Sequence, residues 1–399
     1  MRRPVNYFLF ISFIGLVVIF SSTMSKSPVL PLFAQSLMSS EAEMQYIGYV
    51  IAASTIPGIL VSAIAGRLSD MYGREKLLLI ATFVFATAPF FYLFATNIWA
   101  LMLIRFYHGF STAIFGPVAV AAIAETYPEQ KGERISTYSS VTLIGRFFAP
   151  LTGGVILYLT NYYYYGVYLA CAFSGSLGLV FALILYRSRY HLSESVHAGK
   201  KTRFTLYEFF IGLRDAIRHR IVFITSVIQA SQYFAYGIIE AYIVLYAKAL
   251  SYDAWIIGIM PAVLVLLLVL LKPPMGSISD KIGRRPIILV GLLLGAIAAL
   301  VMPYIINPFI LLLVLSIFGI GMAMVISSTA AFVSDFAKKE DIGAAIGILS
   351  TIMDIGQTIG PILSGYILVV FSYWGVFSMV GFVLILASGI FFIFVPRRI

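Results

Sequence analysis

The sequence predicts an all-α membrane protein, with twelve transmembrane helices in two pseudo-symmetric six-helix halves. Three observations predict it. First, 61% of the 399 residues are hydrophobic and only 11% are charged, whereas a soluble domain carries about 25% charged residues. Mean hydropathy is +0.98. Second, the apolar residues fall into runs of about 20–28, the length that crosses the hydrocarbon of a bilayer as a helix. Third, one eleven-residue stretch occurs twice. Residues 66–76 read GRLSDMYGREK and residues 276–286 read GSISDKIGRRP. Gly66, Ser69, Asp70, Gly73 and Arg74 recur as Gly276, Ser279, Asp280, Gly283 and Arg284, each 210 residues on. A unit repeated half a chain apart implies two copies of one fold.

The apolar runs place the first six spans at 6–34, 44–67, 75–95, 98–127, 134–160 and 164–187. The first opens with MRRPVNYFLF and runs too long for the apolar region of a cleaved signal peptide. The second and third flank the first repeat. The fourth carries Arg105 and FGPVA, and the fifth carries GRFFAPLTGG. Spans seven to twelve fall at 221–248, 254–278, 284–304, 307–336, 342–371 and 373–396. Between the sets lies the one long polar segment, 188–220, with LSESVHAGKKTR followed by the amphipathic stretch FTLYEFFIGLRDAIRHR. The expected organisation is therefore a half over 1–187, a cytoplasmic linker over 188–220 whose amphipathic part lies on the membrane surface, and a half over 221–399.

Lys and Arg set the orientation. With both termini cytoplasmic, 22 of the 27 lie in cytoplasmic loops or ends, and only Lys248 lies in an external loop. Lys26, Arg105, Arg146 and Lys272 fall within spans. The two repeats then become tight cytoplasmic turns. Gly66 and Gly276 allow close helix approach, Gly73 and Gly283 suit the positive φ of a reversal, and Asp70 pairs or caps beside Arg74.

The pattern G-x-x-x-D-x-x-G-R-[R/K] in these turns resembles the loop signature of the major facilitator superfamily of transporters. The second copy, with Arg284 and Arg285, fits fully; the first departs at Glu75. The fifth-span stretch from Gly145 through Pro150 to Gly153 and Gly154 is similar to the G-x-x-x-G-P-x-x-G-G motif of the family's proton-coupled drug exporters, with Ala149 replacing one Gly. The eleventh span repeats the theme with Gly356, Gly360, Pro361 and Gly365. Arg105, with Gly109 four residues on, resembles the family's fourth-helix arginine motif. Glu125 and Arg134 resemble its intracellular charge network with Asp70 and Arg74, and Asp335 repeats Glu125 at the same offset of 210. The resemblance implies a cavity lined by the first, fourth, seventh and tenth spans, closed at the cytoplasmic side by a latch of Gly66, Asp70, Gly73, Arg74, Glu125, Arg134, Asp280, Gly283 and Arg284. The Gly/Pro positions Gly145, Pro150, Gly153, Gly154, Gly360 and Pro361 would be helix hinges, as broken helices at matching places of two halves suggest for a secondary transporter.

Ionisable side chains within spans are costly and should face the bundle interior. Helical spacing aligns Gln229, Tyr233, Tyr236 and Glu240 on the seventh span, Asp354 and Gln357 on the eleventh, and Arg105 and His108 on the fourth. Glu240 reads as a proton carrier or as a permanent partner of Lys26 or Arg105. Asp354 reads as a second carrier or as a partner of Arg146. Lys26 reads as an anion holder or a neutraliser of Glu240, and His108 as a titrating group or as packing among aromatics. The buried cations outnumber the anions, which suits anionic, zwitterionic or neutral substrates.

No catalytic motif of the G-x-S-x-G, H-E-x-x-H, phosphate-loop or dinucleotide type occurs, so an enzyme is not expected. The single cysteine, Cys171, and the lack of a Cys/His cluster suggest no metal, and no cofactor is implied. The net charge of +10 follows membrane topology and does not point to nucleic acid. The expected partners are a small-molecule substrate, protons and the lipid bilayer, the expected state is a monomer, and the expected location is the cell membrane. The resulting expectation is an alternating-access antiporter driving proton-coupled, multidrug-type efflux. A proton-coupled importer of a sugar or organic anion, and a non-transporting receptor on the same fold, remain open at this stage.

Overall fold

The computed structural model describes residues 3–188, 220–336 and 342–395. The expected linker and its amphipathic stretch lie outside the described residues, apart from the linker's two ends. All regular structure among the described residues is helical. Apolar runs leave no alternative in lipid, where a helix satisfies its own backbone polar groups. The helices are α1 (Arg3–Lys26), α2 (Val29–Ser36), α3 (Ile47–Ala53), α4 (Ile56–Tyr72), α5 (Arg74–Tyr92), α6 (Ile98–Thr126), α7 (Lys131–Leu159) and α8 (Tyr164–Arg187). They continue as α9 (Arg220–Ala249), α10 (Ala254–Ile282), α11 (Arg284–Val301), α12 (Pro308–Phe336) and α13 (Ile342–Phe394). Among the described residues, eleven stretches are long and apolar enough to cross a membrane. The last of them contains Ser372, at φ 55 and ψ −166, which divides α13 into arms 342–371 and 373–394. The spans are thus twelve.

Two expected spans are broken. The first divides at Ser27 and Pro28 into α1 and α2, because Pro28 has no N–H to continue the ladder. The second begins as a 3₁₀ turn (Glu41–Tyr46) and breaks again between α3 and α4. There Ser54 and Thr55 return their hydroxyls to the carbonyls of Ile51 and Ala52, at 3.4 and 2.8 Å, and Pro57 stands in the first turn of α4. Hydroxyls that satisfy the last carbonyls of one helix, with Pro opening the next, make such an interruption stable in lipid.

The chain forms two compact units. The first comprises Met1–Ser40, Tyr49–Lys201 and Asp253–Ala262, and the second comprises Glu41–Gly48, Thr202–Tyr252 and Val263–Ile399. The boundary differs from the expected division at two short segments, 41–48 and 253–262. In the first unit, Tyr7, Ile11, Ile14 and Val18 line one stripe of α1 and pack on Phe85 of α5, Phe115 of α6 and Tyr138 of α7. Gly145 of α7 seats α1 closely: a Cβ there would stand 2.8 Å from the Leu16 carbonyl. In the second unit α9 lies against the first arm of α13. Cβ atoms on Gly356 and Gly360 would stand 2.3 and 2.6 Å from the carbonyls of Ala230 and Phe234. Small residues that let backbones touch are how helices adhere in lipid, where the hydrophobic effect between them is absent. The Tyr242 hydroxyl, buried, donates to the Pro361 carbonyl at 2.8 Å.

Candidate functional site

The two repeated turns adopt one geometry. Gly73 (φ 94) ends α4 and Gly283 (φ 104) ends α10, both in the left-handed region that only glycine adopts readily. Each glycine delivers an arginine to the next helix start. Arg74 donates to the Ser69 hydroxyl and pairs with Asp70 and with Glu125 at the end of α6; its Nε lies 3.2 Å from Glu125 Oε2. Arg284 donates to Ser279 at 2.8 Å, pairs with Asp280, and lies 3.2 Å from Asp335 near the end of α12. In each unit one guanidinium, at the start of its own helix, thus gathers a hydroxyl and two carboxylates from two other helix ends, the geometry that gives charge-assisted hydrogen bonds their strength. Gly66 lies within α4. Arg134 is elsewhere: its guanidinium lies over the rings of Phe8 and Tyr127, at 5.0 and 5.2 Å, and donates to Gln130.

The residue after each arginine was not read as functional in the sequence, yet both are anchors. Glu75 is buried in the first turn of α5 and accepts from the buried Tyr7 hydroxyl of α1 at 3.3 Å. A carboxylate at a helix start also meets the positive end of its dipole. Arg285 donates to the Phe392 carbonyl at 2.6 Å and lies over that ring.

The interior of the first unit is built on Arg105, which is 3% exposed. Its Nη1 donates to the Tyr92 hydroxyl at 3.2 Å, and its Nη2 to the Ser54 hydroxyl at 2.6 Å. Ser54 is available because α3 breaks there. Gly109 brings it close: a Cβ on Gly109 would stand 2.4 Å from the Ser54 carbonyl. His108 Nδ1 lies 3.2 Å from the same Tyr92 oxygen, with its ring edge-on to Phe85. Tyr168 of α8 stacks on Tyr92, with centroids 4.3 Å apart and planes at 12°. His108 is therefore packed within the unit. Ser54, Tyr92 and Tyr168 carry no local signal, since only tertiary packing joins them to Arg105. Arg146 is exposed on α7 and makes no ion pair among the described residues of its unit. Lys26 is half-buried in the last turn of α1, where a cation meets the negative end of the helix dipole. Pro150 stands inside α7, with Gly153 packed on Met24 and Pro28 and Gly154 on Gly258.

The second unit carries carboxylates in its interior. Glu240 of α9 is 8% exposed. Gln229, on the same helix, accepts from Thr329 at 2.6 Å. Tyr233 and Tyr236 are half-buried and meet edge to face at 6.3 Å. Asp354 and Gln357 are half-buried on α13, and Asp354 makes no ion pair among the described residues of its unit. Gln232 also escaped the sequence reading: it is fully buried, with neither side-chain N nor O hydrogen-bonded among the described residues. Its place one turn from Gln229 was the available signal.

The family model described as Major Facilitator Superfamily matches residues 11–271 and 225–398. The chain belongs to the major facilitator superfamily. It is a multi-pass membrane transporter by that membership. It is 25% identical over 400 residues to multidrug resistance protein 2 of Bacillus subtilis, covering 98% of this chain and 94% of that one. It is also 25% identical over 373 residues to a multi-drug resistance efflux pump PmrA homolog of Lactococcus lactis, covering 92% and 89%. Among solved structures, a bacterial homolog of the human lysosomal transporter Spinster superposes with TM-score 0.80 at 16% identity, covering 98% of this chain and 97% of that one. The nucleoside transporter NupG superposes with TM-score 0.76 at 13% identity, covering 98% and 100%. At these identities the superpositions speak for the fold.

Proposed function

We propose that this superfamily member exports small organic solutes in exchange for protons by alternating access. Efflux is supported by the relatives named for multidrug resistance. The observation that carries proton coupling is Asp354, a carboxylate on a membrane-spanning helix with no ion pair among the described residues of its own unit. Such a group is expensive to hold charged in lipid, and a proton removes the cost. Glu240, nearly buried on α9, is the second proton site. Tyr233, Tyr236, Gln229 and Gln357 offer aromatic faces and amides to a solute, and Lys26, Arg105 and Arg146 offer positive charge to an anionic or zwitterionic one.

The Arg74 and Arg284 networks act as the cytoplasmic latch, with both termini on that side. Protonation of a carboxylate changes the relative free energies of the inward-open and outward-open states. A difference of one pKa unit between states corresponds to about 1.4 kcal/mol, which moves their populations about tenfold. The Gly/Pro positions around Pro150 and Pro361 let the helices bend as the states exchange.

The test is proton movement in proteoliposomes with a lumenal pH dye, an imposed gradient and a panel of lipophilic cations, neutral drugs, sugars and organic anions. A compound that dissipates the gradient with the wild type, but not with Asp354→Asn or Glu240→Gln, establishes coupling and names the carrier. The direction of proton flow separates export from import. Solute equilibration without proton movement would make the protein a facilitator.

A further inference from the structure

We propose that the interior of the first unit holds one compact anion, a halide or a carboxylate, against Arg105 and His108. The inference goes beyond the transport reading and stands whether or not protons drive transport. Hydrogen-bond direction carries it. A guanidinium only donates, so Arg105 Nη1 donates to the Tyr92 oxygen. The Tyr92 hydrogen is then free to go to His108 Nδ1, 3.2 Å away. With the Tyr92 hydrogen assigned to Nδ1, the imidazole hydrogen is assigned to Nε2. His108 Nε2 is buried and has no hydrogen-bond partner among the described residues, and the same is true of Arg105 Nε. Two buried N–H donors therefore stand without acceptors on side chains one helical turn apart, both tied to one tyrosine oxygen. The Tyr168 hydroxyl, on the ring stacked against Tyr92, is a third buried group without a partner.

An unmet buried donor costs about 1–3 kcal/mol. Water would satisfy the donors but not the charge. Among the described residues of its unit, Arg105 hydrogen-bonds to the neutral hydroxyls of Ser54 and Tyr92 and pairs with no carboxylate. A cation so deeply buried calls for a counter-charge. The groups on offer are two N–H donors and one hydroxyl beside the Phe85 ring, a set that fits a small monoanion rather than a polyphosphate.

The experiment uses the purified full chain in detergent. Its melting midpoint is measured in potassium chloride, bromide and formate against gluconate, at matched ionic strength. Binding of radiolabelled chloride is measured alongside by equilibrium dialysis. The expected result is a saturable upward shift of the wild-type midpoint in at least one compact anion. The apparent affinity should fall about tenfold or more in Arg105→Gln and in His108→Phe, which keeps the ring packing. A halide response identifies a resident ion. A response to formate alone identifies a subsite for a solute carboxylate. Equal wild-type midpoints in all four salts would mean that water fills the site and would overturn the proposal. So would a saturable response that both variants retain in full.

Discussion

The two units share one turn and differ in what surrounds it. Arg74 and Arg284 occupy matching positions, each gathering a serine and two carboxylates. Yet the Arg74 side chain is 9% exposed and that of Arg284 is 19%. One residue further on the chemistry inverts. Glu75 accepts from α1, the first helix of the chain, whereas Arg285 donates to the end of α13, the last. The interiors invert as well: the first unit buries the cation Arg105, and the second carries Glu240 and Asp354. A duplicated backbone thus keeps the groups that make the turn close and leaves the charges beyond it free to diverge. The first turn is the more enclosed of the two, and the second unit holds the interior carboxylates Glu240 and Asp354.

Substitutions test that inequality. The largest effect is expected at the arginines. Arg74→Ala removes hydrogen bonds to charged groups worth about 1.5–3 kcal/mol each and should lower solute transport in proteoliposomes about tenfold or more. Arg284→Ala, at a more exposed site, should cost about 0.5–1 kcal/mol and lower transport about threefold. Equal losses would break the comparison. Next come the close helix contacts. Gly356→Ala forces a Cβ toward the Ala230 carbonyl and should destabilise by about 1–3 kcal/mol, read as a lowered melting midpoint. Gly145→Ala, with more room before the Leu16 carbonyl, should cost less. Tyr92→Phe removes the oxygen that links Arg105 to His108 and should destabilise by about 1–3 kcal/mol; an unchanged midpoint would show that the link is not made. The smallest effects belong to the outer anchors. Glu75→Gln keeps an acceptor for Tyr7 and should cost about 0.5–1.5 kcal/mol. Arg285→Gln should cost a similar amount, with transport measured against Arg284→Ala.

Much of the fold was legible because lipid leaves a helix few alternatives. Run length and the repeat of GRLSDMYGREK located the spans and both turns, and the positive φ of Gly73 and Gly283 followed from chain reversal. The breaks after Lys26 and Ala53 were not legible, although Pro28 and Pro57 mark them. Membrane helices also accommodate proline without breaking, as at Pro89, Pro117 and Pro150. The offset of 210 residues matched Glu125 to Asp335, and each lies beside the arginine of its own turn. The family resemblance placed Arg134 in the Asp70 and Arg74 network, whereas it stacks on Phe8 and Tyr127. A long side chain at a helix start has several neighbours within reach, and spacing does not choose among them. The environment of Arg105 depends on Ser54, Tyr92 and Tyr168, brought together from the α3–α4 break, α5 and α8, and no periodicity within one helix encodes that meeting.

The single-residue joint at Ser372 has a consequence for how this chain tolerates changes in length. With one non-helical residue between the two arms of α13, there is no slack to absorb an insertion. Each added residue would turn the last helix about 100° about its axis. Val376, Phe377, Val380, Leu384 and Phe391, all buried, would swing outward, and Phe382, Leu386 and Ile393, all exposed, would swing in. Length variation in homologous chains should therefore be absent at this corner. A tag or reporter domain inserted after Ser372 should abolish accumulation of the folded protein, however permissive the end of a helical hairpin looks on a topology diagram.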